Sequence, residues 1–381
     1  MASPFHKTRR RCSRRPRFAS RIRGRLRRGG KARSRGNLRY IGNKTRLLPF
    51  ILRTLKRSGI EVGSAHDAFA GTASVSRALK AEGWRVHASD LLMSSYVFQR
   101  AYLVADNTPS GVEERASELA ALPPREGFIS RQFSPTGGDL KGQSRMYFTP
   151  ENAGRIDAAR EQLEAWRGGG AIDEDSYYLL LAAIIEGADR VANTAGVYAS
   201  YMKSWQPNAK RAFEIAVEKP VKGAQPATAR WMDATDAARE VGDIDLLYVD
   251  PPYNSRQYVA YYHIPEILAR GWTGSSPAVR GKVGLLAGDE GRSQWSHGRK
   301  VQKLFAGLLS ATGAKNALVS FNSEGHLTPE SLHALLAATA VDGRVSHFTH
   351  SYRRYRADSE REGRHYHKDL ALEHLYLIRL R

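Results

Sequence analysis

Asp250, Pro251, Pro252 and Tyr253 set a carboxylate, a stiff backbone carbonyl and a flat aromatic ring in immediate succession. Together they offer a charged acceptor, a second acceptor fixed in space and a stacking surface, which suits holding a planar polar group still. The stretch before them, Asp245-Leu246-Leu247-Tyr248-Val249, is mostly apolar and β-leaning and reads as a short buried strand. Prolines cannot donate to a sheet ladder, so they stop that strand, and the first biases Asp250 to an extended backbone. Open α/β sheets bind ligands at the carboxyl ends of their strands. A plain strand and Pro-Pro turn, with Asp250 only capping, stays open on this stretch alone.

Other places carry residues of similar potential. Tyr40-Ile41-Gly42-Asn43-Lys44 leads into an apolar helical face at Leu47, Leu48, Ile51, Leu52 and Leu55. An ordinary turn explains Gly42-Asn43-Lys44 equally well. A ligand-binding reading uses the glycine for close approach and Lys44 as a nearby cation. His66-Asp67-Ala68-Phe69-Ala70-Gly71 precedes a helix from Val75, which is the strand, small-residue loop and helix that begin a nucleotide-binding α/β sheet. There is no Gly-x-Gly-x-x-Gly, so one glycine beside Asp67 suits a ligand with an amino group and no phosphates. A second strand, Trp84 to Asp90, ends in a carboxylate about twenty residues past Gly71, the spacing of an acid that binds ribose hydroxyls. A surface Asp at a strand end is the competing reading.

These positions need a sheet to bring them together. Further strands are expected at Ala229 to Ala234, with Asp233 at its end, and at Lys315 to Asn322. Val345 to Tyr355 and Leu370 to Leu380 alternate like a terminal antiparallel pair. Residues 106 to 228 break the rhythm as an insertion with helices at Glu151 to Trp166 and Asp175 to Val191. Within it, Arg125, Arg131, Lys141 and Arg145 interleave with Phe128, Phe133, Tyr147 and Phe148, which suits a nucleic-acid surface or an ordinary wet one. Tyr258, Tyr261, Tyr262 and His263 form an aromatic patch after the central motif, and Gly271 to Arg299 reads as a Gly/Ser-rich loop able to move over a substrate.

The 381 residues carry 59 Lys and Arg against 38 Asp and Glu. Fifteen of the basic residues fall in residues 1–36, which hold no acid, leaving 44 basic against 38 acidic residues elsewhere. That Arg-rich tail has too few apolar residues to fold alone and is expected to be disordered. A nucleic-acid arm, a transit peptide and a dispensable extension are all compatible with it. The single cysteine, Cys12, excludes an internal disulfide framework and a cysteine zinc site, and no apolar run is long enough to span a membrane.

With these residues in view, the chain resembles the DNA adenine-N6 methyltransferases of the Dam-type branch over about residues 37 to 381. Asp250-Pro251-Pro252-Tyr253 is similar to their catalytic tetrapeptide, Tyr40 to Lys44 to their N-terminal cofactor motif, Asp67 to Gly71 to their cofactor loop, and Asp90 to their ribose-binding acid. Met146 to Thr149, Arg190 to Gly196, Phe321 to Gly325 and Tyr352 to Arg356 resemble stretches of restriction-modification members. The resemblance implies a Rossmann-like, S-adenosyl-L-methionine-dependent α/β sheet with a terminal antiparallel hairpin. Residues 37–105 and 229–381 would form its catalytic domain, and 106–228 an inserted, mainly helical target-recognition subdomain.

By the same resemblance Tyr40, Lys44, Asp67, Phe69, Gly71, Asp90, Asp233 and Asp250 bind the cofactor, with Asp236 a competitor for the role of Asp233. Asp250, Pro251, Pro252 and Tyr253 are the implied catalytic group. The adenine amino group is a poor nucleophile because its lone pair is delocalised. Asp250 and the Pro251 carbonyl would hold its hydrogens, and Tyr253 would stack on a base extruded from duplex DNA. Arg131, Arg145, Arg353, Arg354 and Arg356 are expected at the DNA, and no metal is required. Asp before the prolines, instead of Asn, Ser or Thr, disfavours glutamine and cytosine-N4 chemistry. An RNA adenine methyltransferase and a non-catalytic basic packaging protein are the alternatives. A cytoplasmic, bacterial or phage setting with a cognate restriction endonuclease is also implied.

Overall fold

The computed structural model describes residues 40–137, 144–322, 325–353 and 370–381. The Arg-rich tail, Lys141, Arg354 and Arg356 lie outside them.

The chain begins with α1 (Leu48–Arg57), β1 (Ser64–Asp67), α2 (Ser74–Ala81) and β2 (Arg85–Asp90). Then comes a helical stretch: α3 (Met93–Gln99), continued by a π-helical turn Arg100–Val104, then α4 (Val112–Ala121), α5 (Phe128–Phe133), α6 (Pro150–Gly168) and α7 (Glu174–Val191). The sheet resumes with β3 (Thr228–Trp231), α8 (Ala234–Val241) and β4 (Asp243–Val249). Next are α9 (Tyr258–Tyr261), α10 (His263–Arg270), a small antiparallel ribbon of β5 (Val279–Arg280) and β6 (Leu285–Leu286), and α11 (Gly298–Ala311). The chain closes with β7 (Gly313–Asn322), α12 (Pro329–Thr339), β8 (Ser346–Arg353) and β9 (Leu370–Arg379).

Seven strands form one sheet in the order β3-β2-β1-β4-β7-β9-β8. The first five run parallel, and β9 is antiparallel to both β7 and β8. The expected terminal pair is therefore present, with the final strand wedged between β7 and β8. Parallel strands are buried on both faces, and β4 divides its side chains accordingly. Leu246 and Tyr248 pack with Leu47, Ile51, Leu55 and Leu79 on the α1 and α2 side. Leu247 and Val249 pack with Phe305, Leu308, Leu332 and Leu336 on the other.

The helical stretch has its own core around α7, which is buried along nearly its whole length. Side-chain caps start both long helices: the Thr149 hydroxyl accepts from the Asn152 amide at 3.3 Å, and the Asp173 carboxylate from Ser176 at 2.7 Å. Val97 and Phe98 of α3 and Ile264 and Ile267 of α10 enter the same core, so these helices join the segment to the sheet domain.

Two expectations change here. The helical segment holds more than the two helices expected at Glu151 to Trp166 and Asp175 to Val191, since α4 and α5 precede them. Val112, Ala116 and Leu119 of α4 turn one stripe inward. Phe128, Phe133, Tyr147 and Phe148 are all buried, so these aromatics form core and are not a stacking surface for bases. Likewise Tyr262 and His263 of the aromatic patch are interior.

Candidate active site

β1 and β2 end side by side, and their terminal acids meet a tight loop. The Ala68 amide donates to the Tyr248 carbonyl at 3.1 Å and the Ala70 amide to Ser89 at 3.0 Å, tying the loop to both neighbouring strands. Both carboxylate oxygens of Asp90 accept backbone amides, from Gly71 and from Leu92, each at 2.9 Å. Gly71 has φ +50°, and a Cβ there would lie 3.1 Å from the Tyr40 ring, so only glycine suits the position. Asp67 accepts the Ser76 hydroxyl at 2.6 Å through Oδ2, while its buried Oδ1 has no hydrogen-bond partner. Burial raises Asp67 to about 7, with Ser76 opposing, and raises Asp90 to about 6 against its amide bonds.

The segment before α1 straps over this loop. Tyr40 stacks on Tyr262 with ring centroids 4.6 Å apart, and the Ile41 amide donates to the Tyr262 hydroxyl at 2.6 Å. The aromatic residues following the central motif thus anchor the strap from α9 and α10. The strap delivers Lys44, buried at the foot of α1, to the end of β4.

There the Lys44 ammonium lies 3.2 Å from Asp250 Oδ1 and 2.6 Å from Glu373 Oε1. The Tyr253 hydroxyl donates to Asp250 and accepts from Lys44. Ser320 on β7 donates to Glu373 at 2.7 Å. Burial raises Asp250 to about 6, with Lys44 opposing and Glu373 adding to the rise. The Tyr253 ring meets the Phe321 ring of β7 nearly at right angles, with centroids 5.5 Å apart.

All expected cofactor and catalytic positions line a single cleft of about 880 Å3, counted to its open mouth. Asp233 is among them, although one of its oxygens caps α8 by accepting the Thr235 amide at 2.8 Å. The expected DNA contacts divide. Arg131 is exposed on α5, with Glu126 3.9 Å away. Arg145 is a correction: it is buried, and its guanidinium donates to the carbonyls of Gln132, Lys282 and Gly281, which leaves it a clamp between loops. Arg353 ends β8, but its side chain lies outside the described residues.

The sequence pattern concealed Glu373 and Trp295. Trp295 comes from the expected mobile loop, which folds inward so that Trp295 packs edge-on against Phe69 at 4.9 Å and lines the cleft. An acid inside the alternating apolar run of β9 was the available signal for Glu373.

The chain is similar in sequence to several known proteins. The chain is 31% identical over 344 residues to the type II methyltransferase M.NlaIII of Neisseria lactamica, covering 90% of this chain and 99% of the relative. It is 29% identical over 355 residues to M.FokI of Planomicrobium okeanokoites, covering 88% of this chain and 53% of that protein. It is 30% identical over 306 residues to M.CviAII of Paramecium bursaria Chlorella virus 1, covering 78% and 87% respectively. The pattern defining the D12 class N6 adenine-specific DNA methyltransferases matches residues 40–273, which takes in the strap, both acid-ended strands and the Asp-Pro-Pro-Tyr turn. The chain belongs to this family of adenine-specific DNA methyltransferases.

Proposed function

We propose that the enzyme takes its methyl group from S-adenosyl-L-methionine and delivers it to N6 of an adenine swung out of duplex DNA into the cleft. The observation that carries this reading is the meeting of Asp250-Pro251 with the Asp67 and Asp90 loops in one cavity. The residues present fit the donor. Asp67 Oδ1 is an unpartnered buried acceptor for an ammonium. Asp90 is an acid for ribose hydroxyls, and Tyr40, Phe69 and Trp295 supply an apolar wall. Among the described residues lining the cleft, Lys44 is the one cation, and it is already committed to carboxylates, which suits a ligand without phosphates. When bound, the donor supplies a methyl group activated on a sulfonium.

The protein's part is positioning and charge. Asp250 accepts one hydrogen of the adenine amino group and the Pro251 carbonyl the other, which favours a tetrahedral nitrogen and stabilises the positive charge that grows on it. Tyr253 offers its ring to the extruded base. Residues 37–105 and 229–381 act as the catalytic part, and 106–228, with Arg131, and the residues Arg353, Arg354 and Arg356 contribute to meeting the duplex. A restriction endonuclease reading the same site is the proposed partner, in a bacterial or phage-infected cytoplasm. The test is transfer of a labelled methyl group to duplex DNA and to RNA, with the modified base identified after digestion. N6-methyladenine in duplex DNA is expected, and label only in RNA would overturn the reading.

A further inference from the structure

Glu373 is an acid where the fold places apolar side chains. It shares a face of β9 with Leu375 and Leu377, which pack toward α1, and it is buried to 1% exposure. A lone carboxylate in such a place is strongly unfavourable unless it is paired and hydrogen-bonded. Its Oε1 is satisfied by Lys44 at 2.6 Å and Ser320 at 2.7 Å, and its Oε2 has no hydrogen-bond partner. The same ammonium stands 3.2 Å from Asp250, so one cation is shared unequally between two buried acids.

That inequality matters, because Asp250 has two needs that conflict. It must stay ionised inside the protein, which calls for a nearby cation. It must also keep lone pairs open to the amino hydrogens, which a tightly paired ammonium would occupy. We propose that Glu373 is a positioning residue for methyl transfer, drawing Lys44 toward itself so that the ammonium stands far enough from Asp250 to leave its oxygens to the adenine amino group. The proposal rests on the assignment of Asp250 as the acceptor.

The groups facing Asp250 come from every neighbouring element: Lys44 before α1, Asp67 at the end of β1, Tyr248 on β4, Tyr253 in the turn, Tyr258 on α9 and Glu373 on β9. Replacing Glu373 by Gln removes a like charge from this set and releases Lys44 to Asp250. Both changes favour the carboxylate form of Asp250, so the acid limb of activity moves to lower pH.

The experiment is the single-turnover rate of labelled methyl transfer to duplex DNA between about pH 5 and 9, for the wild type, Glu373→Gln and Asp250→Asn, with cofactor affinity measured in parallel. Glu373→Gln is expected to lower the plateau about tenfold, as Lys44 competes with the amino hydrogens, and to move the acid limb down by about one pH unit, with cofactor affinity little changed. A lower plateau with an unmoved acid limb would mean an ordinary structural role and would overturn the proposal, as would a wild-type profile. Where Glu373→Gln does not fold, Glu373→Leu decides. It suits the apolar face shared with Leu375 and Leu377, removes the same charge and frees Lys44, so the limb is expected to move down as in Glu373→Gln, and an unmoved limb overturns the proposal. Wild-type transfer by Asp250→Asn would instead sink the assignment of Asp250 itself.

Discussion

At one end of the cleft, Asp90 is gripped by two backbone amides, and at the other, Asp250 is held by the Tyr253 hydroxyl and the Lys44 ammonium. Amides in a tight loop are fixed by covalent geometry and by the bonds that tie the loop to β2 and β4. Side-chain partners can rotate away. The Asp90 end is thus built to stay as it is, which suits recognition of a ligand with little reorganisation. The partners of Asp250 can yield, which is what the proposed acceptance of an amine there requires. Both acids are lifted to about 6 by burial, so the difference lies in what holds them and not in how strongly they are desolvated.

The sharpest way to break that comparison is Asp250→Asn. Transfer should fall by about 10^3-fold or more, because an amide keeps one acceptor oxygen but loses the negative charge that stabilises the amine as it becomes positive, while cofactor binding by calorimetry stays nearly intact. A loss of cofactor affinity as large as the loss of rate would mean that the two ends are one site. Asp90→Ala should do the converse, weakening cofactor binding by about 10- to 100-fold, the worth of charge-assisted hydrogen bonds, with much less effect on the rate at saturation.

The pH dependence separates the ends further. Asp67 is raised to about 7, and an ammonium-bearing ligand prefers its ionised form. Cofactor affinity should therefore rise about tenfold from pH 6 to pH 8 as Asp67 loses its proton. The single-turnover rate at saturation follows Asp250 instead: it is present above about 6 and lost as pH falls through that value. A cofactor affinity flat across this range would remove Asp67 from the site. The smallest expected effect is that of Tyr253→Phe. It keeps the ring and deletes a donor to Asp250, so the plateau should change only a few-fold. The acid limb should move up, opposite to Glu373→Gln, and a downward movement would show that the hydroxyl does not stabilise the carboxylate.

Much of the cleft was legible because its parts sit where local signals are strong. Asp67, Asp90 and Asp250 each end a β-leaning run, and strand ends are announced by small residues or prolines. The helices α6 and α7 showed themselves by caps and apolar spacing. What misled was composition without periodicity. Phe128, Phe133 and Tyr147 lie among arginines in sequence, yet they point into the core beside α7, and Arg145 follows them inside to bind carbonyls. Trp295 had no local signature, since it lies in a Gly/Ser-rich loop, and Glu373 showed only as an acid within the apolar run of β9, which names no partner for it.

The sequence by itself determined the acids, the Pro-Pro turn and the order of the main strands along the chain, since these depend on neighbours a few residues apart. Only the tertiary structure decided that β9 enters beside β7, 329 residues after Lys44, and brings Glu373 to its ammonium. The reason is physical: a buried charge is set by everything within a few ångströms, and those neighbours come from strands and loops that only the closed sheet brings together.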